Sequence, residues 1–170
     1  MKRVGWALAL ALIGAAGWLA RDRLFPSQTA LIDRMLTQLA RDVSFAPGEG
    51  NIAAVRRISQ VVDRFAPDAS IEIELLGLGT YQINGRDGIR ERLMLARRAA
   101  RRLELNFHDP VVRLGSDGTS AEVHLTATAD AQGVDRTQGG FEALEFSMQL
   151  HKLDGRWVIQ RVTTVPTLRQ

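Results

Sequence analysis

The side chains able to relay a proton are few: the chain has three histidines, one tyrosine and no cysteine. His108 and Asp109 adjoin, and Pro110 follows them at what reads as a strand kink. A His–Asp pair beside an apolar pocket suits acid–base work, because burial brings such groups toward a working pKa. The plainer alternative is a surface bulge. Tyr81, the one tyrosine, stands in a short hairpin, where packing is the plainer role. If the chain is an enzyme, His108, Asp109 and Tyr81 are its candidate catalytic residues. His124 alternates with apolar neighbours and reads as solvated, and His151 ends an apolar strand and reads as rim. No H-E-x-x-H, G-x-S-x-G or phosphate-binding glycine loop occurs. The missing cysteine excludes disulfides, thiolate metal sites and a Cys nucleophile. These residues predict no metal, no cofactor and no assembled catalytic centre.

A second chemistry is electrostatic. The segment after Asn84-Gly85 carries Arg86, Arg90, Arg92, Arg97, Arg98, Arg101 and Arg102 against Asp87 and Glu91. On a helix turning ~100° per residue, Arg86, Arg90, Arg97 and Arg101 fall along one stripe. Such a stripe is either a solvated face or a binding site for an anionic partner, such as lipid headgroups or an acidic protein surface. The formal charge of the whole chain is only +3, and no aromatic residues interleave with the arginines. Nucleic acid is therefore not an expected partner.

The elements that must position these groups follow from periodicity. Ser27 offers an N-cap to a helix over Gln28 to Asp42, with Leu31, Ile32, Met35, Leu36 and Leu39 on one face. Asn51 reads as the cap of a second helix whose stripe is Ile52, Val55, Ile58, Val62 and Phe65, closed by Pro67-Asp68. The period then becomes two: Ile71, Ile73 and Leu75 alternate with glutamates, and Thr80 to Ile83 makes a short partner strand. The arginine-rich helix runs from Arg86 to Arg102. Strands follow over Leu105–Leu114, Ala121–Ala129, Phe141–Leu150 and Trp157–Val165. Asp154-Gly155 is a tight-hairpin dipeptide. Helices first and antiparallel strands afterwards give an α+β class.

The N-terminal 25 or so residues read differently. Residues 4–20 (VGWALALALIGAAGWLA) carry no charge and would span about 25 Å as a helix, near the ~30 Å of a hydrocarbon core. A signal peptide cleaved after Ala16 is the rival reading. The apolar run continues through Trp18 and Leu19, which favours a retained anchor. The expected organisation is a cytoplasmic head at 1–3, a transmembrane anchor at 4–20, a linker at 21–26 and one domain over 27–170. That places the protein in the inner membrane as a single-pass chain in contact with lipid, its domain periplasmic.

The order of elements, with Gly79-Thr80-Tyr81-Gln82-Ile83-Asn84-Gly85-Arg86-Asp87-Gly88-Ile89 and Leu153-Asp154-Gly155-Arg156-Trp157-Val158-Ile159, resembles the nuclear-transport-factor-2-like (SnoaL-like) superfamily. The resemblance covers roughly Ser27 to Val165. It implies a curved, mostly antiparallel sheet wrapped around three helices as a cone with an apolar mouth. Its members include isomerases, cyclases and dehydratases, besides lipid carriers and membrane-anchored scaffolds. With no acid or base found on the apolar faces, the expectation is a non-enzymatic, membrane-anchored module, an accessory of an envelope transport or secretion assembly. It would bind a protein partner or form a homodimer through its sheet face, or take an apolar small ligand. The alternative is an isomerase or dehydratase acting in the cone.

Overall fold

Ser27 accepts a hydrogen bond from the Ala30 amide (3.1 Å) and opens helix α1, Gln28–Val43. The computed structural model describes residues 27–75, 79–133 and 143–165. Helix α2 spans Asn51–Val62 and helix α3 spans Gly85–Ala99. The strands are β1 (Phe65–Leu75), β2 (Gly79–Asn84), β3 (Arg102–Leu114), β4 (Ser120–Gln132), β5 (Leu144–Leu153) and β6 (Arg156–Thr164). They form one six-stranded sheet in the order β2-β1-β6-β5-β4-β3. Among the described strands β1 and β6 run parallel and the other neighbouring pairs are antiparallel. The expected α+β class and mostly antiparallel sheet on three helices are what the chain adopts.

Period-two alternation builds the inner face. One apolar row crosses all six strands through the pairs Val112↔Val123, Val123↔Met148, Met148↔Val162, Ile71↔Val162 and Ile71↔Ile83. Helix α1 lays Ile32, Met35, Leu36 and Leu39 into the core and packs along β3, while α3 lies along β1. Burying such side chains contributes about 1.5–3 kcal/mol each.

Several boundaries differ from expectation, each for a local reason. Strand β1 begins at Phe65 and runs through Pro67-Asp68, which read as a stop. Pro67 has no N–H to donate, and it lies where the β1–β6 register slips between Phe65 and Ser70. Gly50, not Asn51, holds the N-cap position of α2. That helix's apolar stripe is buried only from Ile58 onward; Ile52 and Val55 are 84% and 56% exposed. Helix α3 stops at Ala99, and the Arg101 amide already donates to the Gln132 carbonyl (2.8 Å) as the chain enters β3. Phe141, placed in a strand from sequence, lies outside the described residues.

The turns follow their chemistry. Asp154 and Gly155 both take positive φ (52° and 77°), the geometry of a two-residue hairpin. Between β3 and β4, a Cβ on Gly115 would lie 2.1 Å from the Ser120 hydroxyl, so only glycine fits there. Asp117 accepts from the amides of Thr119 and Ser120 (both 2.9 Å) and from the Ser120 hydroxyl (2.8 Å). Those bonds to the charged form hold its carboxyl far below the usual carboxylate range. A depressed folded-state pKa stabilises the fold above the unfolded value, near 4, and that contribution fades as pH falls. Thermal melts of wild type and Asp117→Asn should therefore differ at pH 7 and draw together below about pH 4. A gap of constant size down to acid pH would show that the carboxylate does not stabilise this turn.

Among the described residues no helix is long and apolar enough to cross a membrane. That corrects the single-pass inner-membrane placement. The three described helices are amphipathic and lie on the sheet. The 4–20 segment on which the anchor was based, with the head and linker around it, lies outside the described residues.

Candidate functional site

Small side chains hold the cone open. Helix α3 turns Ala96 and Ala99, followed by its C-cap Ala100, toward the cavity, and β4 answers with Ala127, Ala129 and Ala131. Between them lies a cavity of about 420 Å³, within the roughly 300–1,000 Å³ range of small-molecule sites. Leu105 and Phe107 of β3, Ile71 and Ile73 of β1, and Phe146 and Met148 of β5 complete its walls. The Ala129↔Leu105 and Ala131↔Leu103 pairs put the small residues of β4 opposite leucines of the edge strand.

One charged residue lines this cavity among the described residues: Arg92. Its place follows from helical geometry. At ~100° per residue, Arg92 falls between Ala99 and Ala96 on the circumference of α3, inside the apolar arc that also holds Ile89. Arg92 is exposed, and among the described residues it has no ion pair or hydrogen bond.

The expected catalytic residues are not brought together. Phe107 lines the cavity, so its neighbour His108 points to the opposite face of β3, where its Nε2 lies 2.9 Å from the Thr128 hydroxyl. Asp109 sits at a register slip between His108 and Val111, exposed and with φ of 50°. The kink at Pro110 is thus present, but it is the surface bulge and not a poised pair. Tyr81 stands at the other edge of the sheet. It pairs with Ile73 and so shares the inner face, at the rim, 48% exposed. His124 lies on the outer face, 3.2 Å from Glu122. Among the described residues no histidine, aspartate or glutamate lines the cone, and no cluster could hold a metal ion.

Three of the four arginines of the stripe are engaged within the fold. Arg86 donates from Nε to the Phe65 carbonyl (2.8 Å) and ties α3 to the start of β1. Arg90 pairs with Asp87. Arg97 pairs with Glu49, stacks its guanidinium 4.7 Å above the Phe45 ring, and is 13% exposed. Glu49 also takes Arg57 (2.9 Å), so this cluster fastens α3 to the turn before α2. Arg101 lies beyond the helix and packs where a Gly133 side chain would be. Sequence reasoning grouped these four and passed over Arg92. The available signal was an arginine at a position that periodicity assigns to the apolar face.

The SnoaL-like domain model matches residues 55–163, more than half of the chain. The chain belongs to the SnoaL-like family. Among curated proteins none matches it. Solved structures share its fold. A candidate scytalone dehydratase of Novosphingobium aromaticivorans has 15% identity and a TM-score of 0.62, over 83% of this chain and 85% of that one. A hexachlorocyclohexane dehydrochlorinase of Novosphingobium barchaimii has 15% identity and a TM-score of 0.57, over 85% and 88%. A candidate polyketide cyclase of Xanthomonas campestris has 16% identity and a TM-score of 0.51, over 82% and 90%. Descriptions as enzymes recur on this fold, and that corrects the expectation of a non-enzymatic module.

Proposed function

We propose that this SnoaL-like chain is a small-molecule enzyme of the isomerase or dehydratase type, acting on a largely apolar substrate held in the cone. The observation that carries the reading is the cavity itself: about 420 Å³, walled by aliphatic and aromatic side chains, with one charged group among the described residues. The dehydratase, dehydrochlorinase and cyclase descriptions of the similar structures support it. The described walls contribute binding and exclusion of water. In that low dielectric a charge developing on a substrate oxygen gains far more from a nearby donor than it would in bulk water. Arg92 of the lining and Tyr81, on the inner face of the sheet but outside the lining, are the described groups proposed to supply such donors. In a dehydration the C–H bond next to a carbonyl breaks and its electron pair forms the C=C bond; the α-proton passes to solvent at the mouth, and the β-hydroxyl takes a proton from solvent and leaves as water. The donors would hold the carbonyl oxygen while it carries the charge.

The test is a panel of hydrophobic β-hydroxy carbonyl compounds, with and without a carboxylate, followed by the absorbance of the conjugated product. In parallel, exchange of their α-hydrogens with deuterated solvent is read by NMR. The full-length chain is expected to accelerate loss of water or α-exchange for at least one compound. Acceleration of neither reaction across the panel overturns the enzyme reading.

A further inference from the structure

We infer that the cone selects an amphipathic anion: an apolar ring or chain ending in a carboxylate, which Arg92 pairs at the mouth. The inference rests on the reading of the cone as a substrate site and names the class of molecule it takes. Three observations carry it. Arg92 is the only charged side chain lining the cavity among the described residues. It is unpaired, as the exposed Arg98 of the same helix also is, whereas Arg86, Arg90 and Arg97 each have a partner; of the two unpaired arginines Arg92 is the one that lines the cavity. The other described lining residues are all apolar, so no side-chain carboxylate of the lining competes for the guanidinium.

The physical argument turns on what the arginine would otherwise do. An arginine used as a solvated surface charge has no reason to occupy the apolar arc of a helix. One used to fasten the fold has a carboxylate or carbonyl within reach, as Arg86 and Arg97 do. Arg92 does neither. Its planar fork matches a carboxylate with two parallel hydrogen bonds, a geometry an ammonium cannot reproduce. A ligand that places its apolar body against Phe107, Phe146 and Met148 leaves a terminal anion to be met at the lip. An anion there is partly desolvated, so its attraction to the guanidinium is screened less than on an open surface.

The experiment compares two probes of one shape, 2-naphthylacetate and 2-naphthylacetamide, titrated into the full-length chain by calorimetry. The carboxylate should bind at least tenfold more tightly than the amide, a difference of about 1.4 kcal/mol. Arg92→Gln should remove that preference while leaving the melting temperature unchanged. Arg92→Lys should restore only part of it, because the bidentate geometry is lost. Equal binding of the two probes to wild type overturns the anion inference and leaves the cone as a site for neutral molecules. A preference that survives Arg92→Gln also overturns it, because the anion would then be held elsewhere. Binding of neither probe removes both the inference and the reading of the cone beneath it.

Discussion

Replacing Trp157 with alanine is expected to cost about 3–5 kcal/mol, the toll of deleting a large buried ring. Trp157 follows the Asp154-Gly155 turn and is 8% exposed within the main core. Its ring spans layers: the indole N–H donates to the Gln28 side chain at the start of α1 (3.1 Å), and the Lys152 ammonium lies 5.1 Å from the ring on the neighbouring strand. The indole therefore joins the first residue of the first described helix to the last hairpin of the sheet. Deletion leaves a void between layers, and it also frees the Gln28 amide. Trp157→Phe keeps most of the apolar contact and loses the hydrogen bond, so it should fall between wild type and alanine. Denaturant midpoints with an unchanged slope are the readout. Wild-type stability in Trp157→Ala would mean that the final hairpin does not dock on α1.

What was legible in the sequence is what rests on local periodicity and turn chemistry. Val123, Leu125 and Ala127 share a face because strand side chains alternate, and no distant contact is needed to see it. The Asp154-Gly155 hairpin and the slip at Pro110 are legible for the same reason: each residue constrains its own backbone. What escaped depends on partners far away in sequence. Phe65 looked like the last residue of a helical stripe. It opens a strand because the Arg64 carbonyl accepts from the Ile159 amide on β6 (2.8 Å), a contact that no local pattern announces. Ile52 and Val55 fit an amphipathic period yet face no core, since periodicity gives a face and not its neighbour.

The candidate site shows the same division. His108-Asp109 drew attention as neighbours in sequence, but strand geometry sends His108 to the outer face while Phe107 turns inward. The arginines of α3 looked like one stripe because the count included Arg101, which lies past the helix end, and took no account of Glu49. Glu49 claims Arg97 from 48 residues away. Arg92 was hidden by the crowd of arginines around it. The cavity was hidden for another reason: alanines on two elements create it jointly, and each set alone reads as ordinary filler.

Those alanines give the second large effect. Ala129 is half-buried on β4, lines the cone and pairs with Leu105 of the edge strand. A phenylalanine there would project its ring into the space between β4 and α3. Introducing a ring into a filled core forces neighbours off their rotamers and typically costs about 1–3 kcal/mol. Filling an existing void does the opposite and commonly adds about 0.5–2 kcal/mol. If the cavity is empty space kept for a ligand, Ala129→Phe should melt at or above the wild-type temperature. The same variant should bind 2-naphthylacetate at least tenfold more weakly, a loss of about 1.4 kcal/mol. It should also lose turnover of any compound that wild type dehydrates or exchanges. Ala121→Val, on the same strand but outside the cavity lining, is the control and should leave binding unaltered. The two readouts must move apart, stability holding while binding falls, because only a space reserved for another molecule can be filled without strain and missed only by that molecule. A variant that loses stability and keeps its affinity would place the ligand outside the cone.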